Sequence, residues 1–272
     1  MYPIMIDRKW PVLSELEKRR LESQAAVLPL ESRLSFRKWL DGEITYTSIA
    51  IEGNTLSRRE TALVLNNEAV GGKSVTEHLE AHNHQDALQL MYSKAAQAGM
   101  PTLDDIYELN GIILRGIKEE AGQLRTSKIR IMGAEVHPPA PAEVPAKVQE
   151  FGEWLQQETP SPEAAFKAHL WLVDIHPFVD GNGRTARLLT NLILGRAGHL
   201  PTYVELHQRD PYFSTIQTFC EMGDCRPFVE FMGQRLLETY DHFDQMRPDM
   251  PMPDRKIVAG PAQSLHRPLQ GS

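Results

Sequence analysis

Twelve consecutive residues, His176-Pro177-Phe178-Val179-Asp180-Gly181-Asn182-Gly183-Arg184-Thr185-Ala186-Arg187, bring together a base, a hard carboxylate, two permissive glycines and two guanidinium groups. Transfer of a phosphoryl centre from a nucleotide needs this set: a proton acceptor, a Mg²⁺ ligand and fixed positive charge for the phosphates. His176 is the candidate general base, since imidazole titrates near neutral pH. Asp180 is the candidate Mg²⁺ ligand, because that ion is held by one or two carboxylates together with substrate phosphates and water. Arg184 and Arg187, at i and i+3, share one face of a helix and can grip an anionic chain with planar, permanently charged forks.

The neighbouring elements must position these groups. Ser161-Pro162-Glu163 is a helix start, with a Ser N-cap, Pro at the first helical position and an acid in the first turn. Phe166, Leu170 and Val173 recur at helical spacing, and the helix is predicted to end at His176, because a residue before proline is pushed out of the α region. The imidazole then projects past a helix end. Gly181 and Gly183 allow a tight loop, and Arg184 to Arg196, rich in Leu and Ile, reads as a largely buried helix. Its N-terminus carries unpaired N–H groups and the positive end of the dipole, so the loop of Gly181, Asn182 and Gly183 is a cradle for phosphate oxygens.

The whole string fits the H-P-F-x-D-G-N-G-R-x-x-R signature of the Fic family without a mismatch. Fic proteins are α-helical enzymes that usually move AMP from ATP onto a protein hydroxyl and release pyrophosphate. By that resemblance His176 takes the hydroxyl proton and Asp180 holds Mg²⁺. Gly181, Asn182 and Gly183 form an anion hole, and Arg184 and Arg187 belong to the phosphate site. A looser likeness runs from about Thr45 to Tyr240.

A second stretch, Ser48-Ile49-Ala50-Ile51-Glu52-Gly53-Asn54, ends a helix predicted from Ser32 to Ile51 and interrupted at Gly42. Read alone, Glu52 sits on the last turn and Gly53 is a C-terminal cap. The stretch also resembles the inhibitory S/T-x-x-x-E-G/N motif that precedes the core of many Fic proteins. That resemblance makes Ser48, Glu52 and Gly53 regulatory, with Glu52 pairing to Arg187 and blocking productive ATP binding.

Between Gly122 and Pro145 the pattern changes. Ile129 and Ile131 alternate with Lys128 and Arg130, Gly133-Ala134 can turn, and His137-Pro138-Pro139 closes a predicted hairpin. By resemblance Ile131, Met132 and Gly133 belong to the Fic flap, along which a protein target pairs by its main chain, as in strand addition to a sheet edge. Tyr212 and Phe213 fall where related proteins place aromatic residues near the adenine. Phe219-Cys220-Glu221 occupies the region where some relatives have a base-contacting Asn, so the base specificity stays open.

Capping boxes at Ser57 to Glu60 and Ser74 to Glu77 mark two further helices, and Thr102 caps another through Ile117. Leu13 to Ala26 reads as a surface helix, and Tyr203 to Phe219 and the stretch after Gly223-Asp224 as late helices. Two patterns are decoys. Gly72-Lys73-Ser74 lacks the earlier glycine and the strand of a P-loop, and His78, His82 and His84 lack the H-E-x-x-H order, so a solvated helix face is expected there. Cys220 and Cys225 are too few for a disulfide scaffold and lack the partners of a zinc site.

The 29 Lys+Arg against 36 Asp+Glu leave the chain net acidic, which argues against nucleic acid or an anionic membrane as the main partner. No segment approaches a membrane span and no signal-like N-terminus is present, so a cytoplasmic protein is expected. The expected fold is all-α, a Fic-type helical domain with one β-hairpin flap. Residues 1–100 form N-terminal helices that include the inhibitory one, 101–240 the core, and 246–272 a loosely ordered tail. The expected function is transfer of AMP from ATP, with Mg²⁺, to a Ser, Thr or Tyr hydroxyl of a protein, restrained by Glu52. A hydrolase that removes AMP, with Glu52 orienting water, and a catalytically quiet nucleotide-binding partner are the alternatives. Whether the chain forms a homodimer is open.

Overall fold

The computed structural model describes residues 10–26, 28–129 and 138–246. Among them the regular elements are all helical: α1 (Pro11–Ala25), α2 (Leu30–Ile51), α3 (Arg58–Leu65), α4 (Val75–Ala95), α5 (Leu103–Ile113), α6 (Val144–Gln157), α7 (Pro162–Ile175), α8 (Asn182–Arg196), α9 (Arg209–Met222) and α10 (Arg226–Gln245), with short 3-10 turns at Pro141–Glu143 and Leu206–Gln208. None of these helices is long and apolar enough to cross a membrane.

The starts follow local capping chemistry. Ser57 and Ser74 each form a full capping box with Glu60 and Glu77, and Thr102 forms one with Asp105. Each such cap contributes about 1 kcal/mol by satisfying N–H groups that the helix cannot. Ser161 Oγ accepts from the Ala164 N–H at 3.1 Å and Pro162 opens α7.

Several ends differ from the expectation. α2 runs unbroken through Gly42, because Phe36, Leu40, Ile44, Ile49 and Ile51 are all buried along it and outweigh a glycine cost of about 1 kcal/mol. α5 stops at Ile113 rather than Ile117, where Gly116 takes a left-handed φ of 73°. α9 starts at Arg209 rather than Tyr203, since the Asn191 amide pairs with both the N–H and the C=O of Thr202 and holds the chain away from helix. α1 is more than a surface helix: Val12 and Leu16 are buried, and Arg19 bonds Asp241 and Asp244 of α10. His84 on α4 is fully buried, which corrects the solvated-face reading.

α7 and α8 pack along each other at the centre, joined by the turn that carries the signature. α4 and α5 cover α8, α6 and α10 cover α7, and α2 lies on α4 and reaches α8 at its C-terminal end. α8 is buried almost throughout, including its polar residues Asn182, Arg184, Thr185 and Arg187. A helix with so many polar groups inside needs a partner for each, and those partners make the site.

The predicted flap residues Ile131, Met132 and Gly133 lie outside the described residues. The described chain on either side, up to residue 129 and from residue 138, holds no strand. Of the predicted tail only Met246 is described.

Candidate active site

His176 is the C-cap of α7 and has a left-handed backbone, φ 50° and ψ 60°. That conformation costs a non-glycine residue about 1 kcal/mol and concentrates at functional turns. Its N–H donates to the Leu172 carbonyl at 3.0 Å, and Nδ1 lies 3.2 Å from the Val173 carbonyl. A carbonyl only accepts, so the proton sits on Nδ1 and Nε2 keeps its lone pair. Desolvation of the half-buried ring pulls its pKa down to about 4, against the opposing pull of the Val173 carbonyl. The imidazole is therefore neutral near pH 7 and able to accept a proton.

The turn after His176 is clasped from inside. Asn182 Oδ1 accepts from the Phe178 N–H at 3.0 Å and its Nδ2 donates to the Phe178 carbonyl at 2.9 Å. Its side chain is thus committed to the loop, and what Asn182 can offer an anion is its backbone N–H. Gly181 supplies the left-handed φ of 74° that lets α8 begin there. Gly183 leaves room for a neighbour: a Cβ there would meet the Glu52 carboxylate in its present position and lie 3.2 Å from Arg187. The Glu52 carboxylate thus rests against the first turn of α8, where the helix presents N–H groups to an anion.

Both signature arginines are already countered by acids. Arg187 donates Nη2 to Glu52 Oε1 at 2.7 Å and to the Ser48 carbonyl at 2.9 Å, and Nε to Ser48 Oγ at 2.9 Å. Arg184 is held by Glu80 and by Asp180 Oδ1, each at 3.1 Å. Glu80 also accepts from Asn54 Nδ2 at 2.8 Å. Ser48, Glu52 and Arg187 are therefore brought together; Gly53 follows with a φ of 103°, the conformation of a cap.

Tyr212 departs from the expected place beside a base. Its ring is 1% exposed, packed against His169 and Phe228, and its hydroxyl pairs with His169 Nε2 at 2.8 Å and receives Arg187 Nη1 at 3.4 Å. A ring enclosed on both faces cannot stack on adenine, so Tyr212 supports Arg187 instead. Phe213 is 37% exposed, with the Arg209 guanidinium 4.8 Å from its centroid. Behind the arginines, His84 is neutral: desolvation pushes its pKa down to about 3, and the charges of Arg187 and Arg184 act in the same direction.

Among the described residues no group of three or more His, Cys, Asp or Glu side chains could enclose a metal. Asp180 stands at the mouth of the turn with its side chain 43% exposed, engaged through Oδ1. One open carboxylate beside a phosphate cradle suits Mg²⁺, which keeps water and phosphate ligands in place of a protein cage. Sequence reasoning missed Glu80, Asn54 and Arg125, the last of which donates Nε to the His176 carbonyl at 2.7 Å. No local pattern marks Glu80, which reaches Arg184 across 104 positions of chain.

Residues 101–194 match the model of the Fic/DOC family. The chain is 38% identical over 212 residues to a protein adenylyltransferase Fic of Drosophila virilis, a match covering 76% of this chain and 43% of that one. It is 35% identical over 273 residues to the like-named protein of Drosophila sechellia, covering 95% and 55%. It thus spans about half the length of the curated relatives it matches. Among solved structures, a Fic-1 fragment from C. elegans (residues 134–508) superposes with a TM-score of 0.76 at 29% identity, covering 86% of this chain and 71% of the other. The signature turn lies within the matched residues, so the chain carries a Fic/DOC-family domain at residues 101–194 and resembles the Fic-1 fragment in fold.

Proposed function

We propose that this chain transfers AMP from ATP to a Ser, Thr or Tyr hydroxyl of a protein, and that Glu52 restrains the transfer in the resting chain. The observation that carries the reading is a neutral His176 with its proton on Nδ1 and no partner for Nε2 among the described residues, close to a helix N-terminus flanked by Arg184 and Arg187. The name borne by the relatives, protein adenylyltransferase, supports it.

In this reading the hydroxyl oxygen attacks the α-phosphorus, and the bond from that phosphorus to the bridging oxygen breaks. His176 Nε2 takes the hydroxyl proton, and pyrophosphate leaves with the bond's electron pair. The N–H groups of Gly181, Asn182 and Gly183 and the Arg187 fork hold phosphate oxygens, while Arg184 orients them. Asp180 would hold Mg²⁺, which when bound neutralises phosphate charge. Phe213 is the aromatic face available to a base. Residues 1–100 serve as the regulatory part and 101–240 as the catalytic core, and the target lies along the flap residues Ile131, Met132 and Gly133, as the family resemblance implies.

The test is intact mass spectrometry after incubation with ATP and Mg²⁺, wild type beside Glu52→Gly, with candidate protein targets present. The expected result is an added adenylyl group on the chain or a target, with pyrophosphate released in equal amount. A Glu52→Gly protein that yields neither product would defeat the reading.

A further inference from the structure

Arg125 stands outside the signature, yet its side chain and its backbone each hold the turn of His176. It is 2% exposed, and each hydrogen bond it makes among the described residues ends on a backbone carbonyl. Nε donates to His176 at 2.7 Å, Nη2 to Pro139 at 2.8 Å and Nη1 to Ser127 at 3.3 Å. Its own backbone N–H donates to the Pro177 carbonyl at 2.9 Å. Two successive carbonyls of the turn are thus held by one residue.

Such a placement is costly. Desolvation lowers the Arg125 pKa from its ordinary value, and no carboxylate among the described residues pairs with the guanidinium. Burying a charge is unfavourable unless its hydrogen-bonding capacity is met, and an apolar side chain would fill the same space at lower cost. What an apolar side chain cannot do is satisfy the His176 carbonyl. As the C-cap of α7, His176 has a carbonyl with no donor in the helix ladder, and it needs one from elsewhere. Returning His176 to the right-handed region would break the Nε bond and carry the imidazole away from the Val173 carbonyl.

We propose that Arg125 is the positioning residue of the general base: it fixes the left-handed turn at His176 and so keeps Nδ1 as the donor and Nε2 as the proton acceptor. It touches neither nucleotide nor target and acts only through His176. The proposal rests on the AMP-transfer reading for its kinetic consequence, and not for its structural one.

The experiment uses the full chain in the Glu52→Gly background, with Arg125→Gln and Arg125→Lys added. Arg125→Gln is expected to lower kcat by about 10²-fold, the scale for a misplaced reacting group. KM for ATP should stay within about twofold, as for an interaction realised in the transition state. Nitrogen-15 NMR of the imidazole should change from a single Nδ1–H tautomer to a mixture of the two. Arg125→Lys keeps the charge and a donor nitrogen but not the planar fork, and should recover part of kcat and part of the tautomer bias. Unchanged kcat with an unmixed tautomer overturns the proposal, and so does a loss carried by KM alone. A Gln variant that no longer melts cooperatively overturns it too, by making Arg125 a residue of general stability. If the Glu52→Gly parent itself transfers no AMP, the functional reading fails, and the tautomer measurement, which needs no turnover, decides the role of Arg125.

Discussion

Replacing Glu52 by glycine perturbs the one contact that lies both on Arg187 and on the first turn of α8. A charge-assisted hydrogen bond contributes about 1.5–3 kcal/mol. The Glu52 side chain is 32% exposed, so solvent screening puts the pair at the lower end, about 1.5 kcal/mol. That is about tenfold in an equilibrium constant. In the proposed reading ATP displaces the carboxylate to seat its phosphates, so removing it should raise the productive affinity by about that factor. Ser48 keeps hold of Arg187 through Oγ and the carbonyl, both at 2.9 Å, so the guanidinium stays in place when Glu52 is gone.

At ATP below saturation, Glu52→Gly should therefore transfer AMP about tenfold faster than wild type, read as the time course of adenylyl adducts by intact mass. ATP should also raise its Tm by more than it raises that of wild type, because binding no longer competes with an internal anion. Glu52→Asp, shorter by one methylene, should lie between the two, since the contact depends on reach. Arg187→Ala is not a mimic: it frees Glu52 but removes the clamp, so it and the double variant should both be inactive. Equal rates for Glu52→Gly and wild type across several targets, or an Arg187→Ala protein faster than wild type, would refute the reasoning.

Three further outcomes are expected. His176→Ala should slow transfer by roughly 10²–10⁴-fold while the ATP-induced rise in Tm is retained, because the imidazole serves proton transfer rather than packing; unchanged initial rates would remove it as the base. Asp180→Asn should lower activity and weaken its Mg²⁺ dependence together, so an unaltered Mg²⁺ titration of the rate would exclude that carboxylate as the ligand. Four histidines have folded pKa values below the ordinary 6.5: His84 and His169 at about 3, His176 and His199 at about 4. The unfolded chain then binds more protons below about pH 6.5, so stability is full above that pH and lost as pH falls, by up to roughly 1.4 kcal/mol per pH unit for each histidine. Thermal melts between about pH 7 and 5 should shift downward, and a flat Tm over that range would contradict the buried neutral imidazoles.

The helical class and the signature turn were legible because their determinants are local. Ser161-Pro162 and the His176-Pro177 junction bracket α7 by capping and by the restriction proline places on its predecessor. Capping boxes at Ser57 and Ser74 are written within four residues each. What sequence could not supply is which side of a helix another helix will cover. His78 and His84 share α4, yet only His84 is buried, because α8 lies along that part of α4. Tyr212 and Phe213 are adjacent and face opposite environments for the same reason. Glu80 and Arg125 carry no motif, and their importance arises only when α4 and the chain before residue 130 close on α8 and the His176 turn.

The two arginines are countered in different ways, and the difference makes Arg187 the better seat for the restraint proposed for Glu52. Arg184 takes its carboxylates from Asp180, in its own turn, and from Glu80, which is itself tied to Asn54. None of these contacts needs Glu52, so moving Glu52 leaves Arg184 neutralised, with its fork fixed in direction but offering little net attraction. Arg187 has Glu52 as its one carboxylate partner among the described residues, and its remaining partners, Ser48 and Tyr212, are uncharged. A single carboxylate therefore decides whether Arg187 has an uncompensated positive charge to present to a phosphate. Because Glu52 is the last residue before Gly53 at the end of α2, it can leave that position by a local change at the helix end, without unpacking the buried residues Ile44, Ile49 and Ile51 behind it. Placing the same carboxylate on Arg184 would add a third acid where two already stand, and its removal would change the local charge far less.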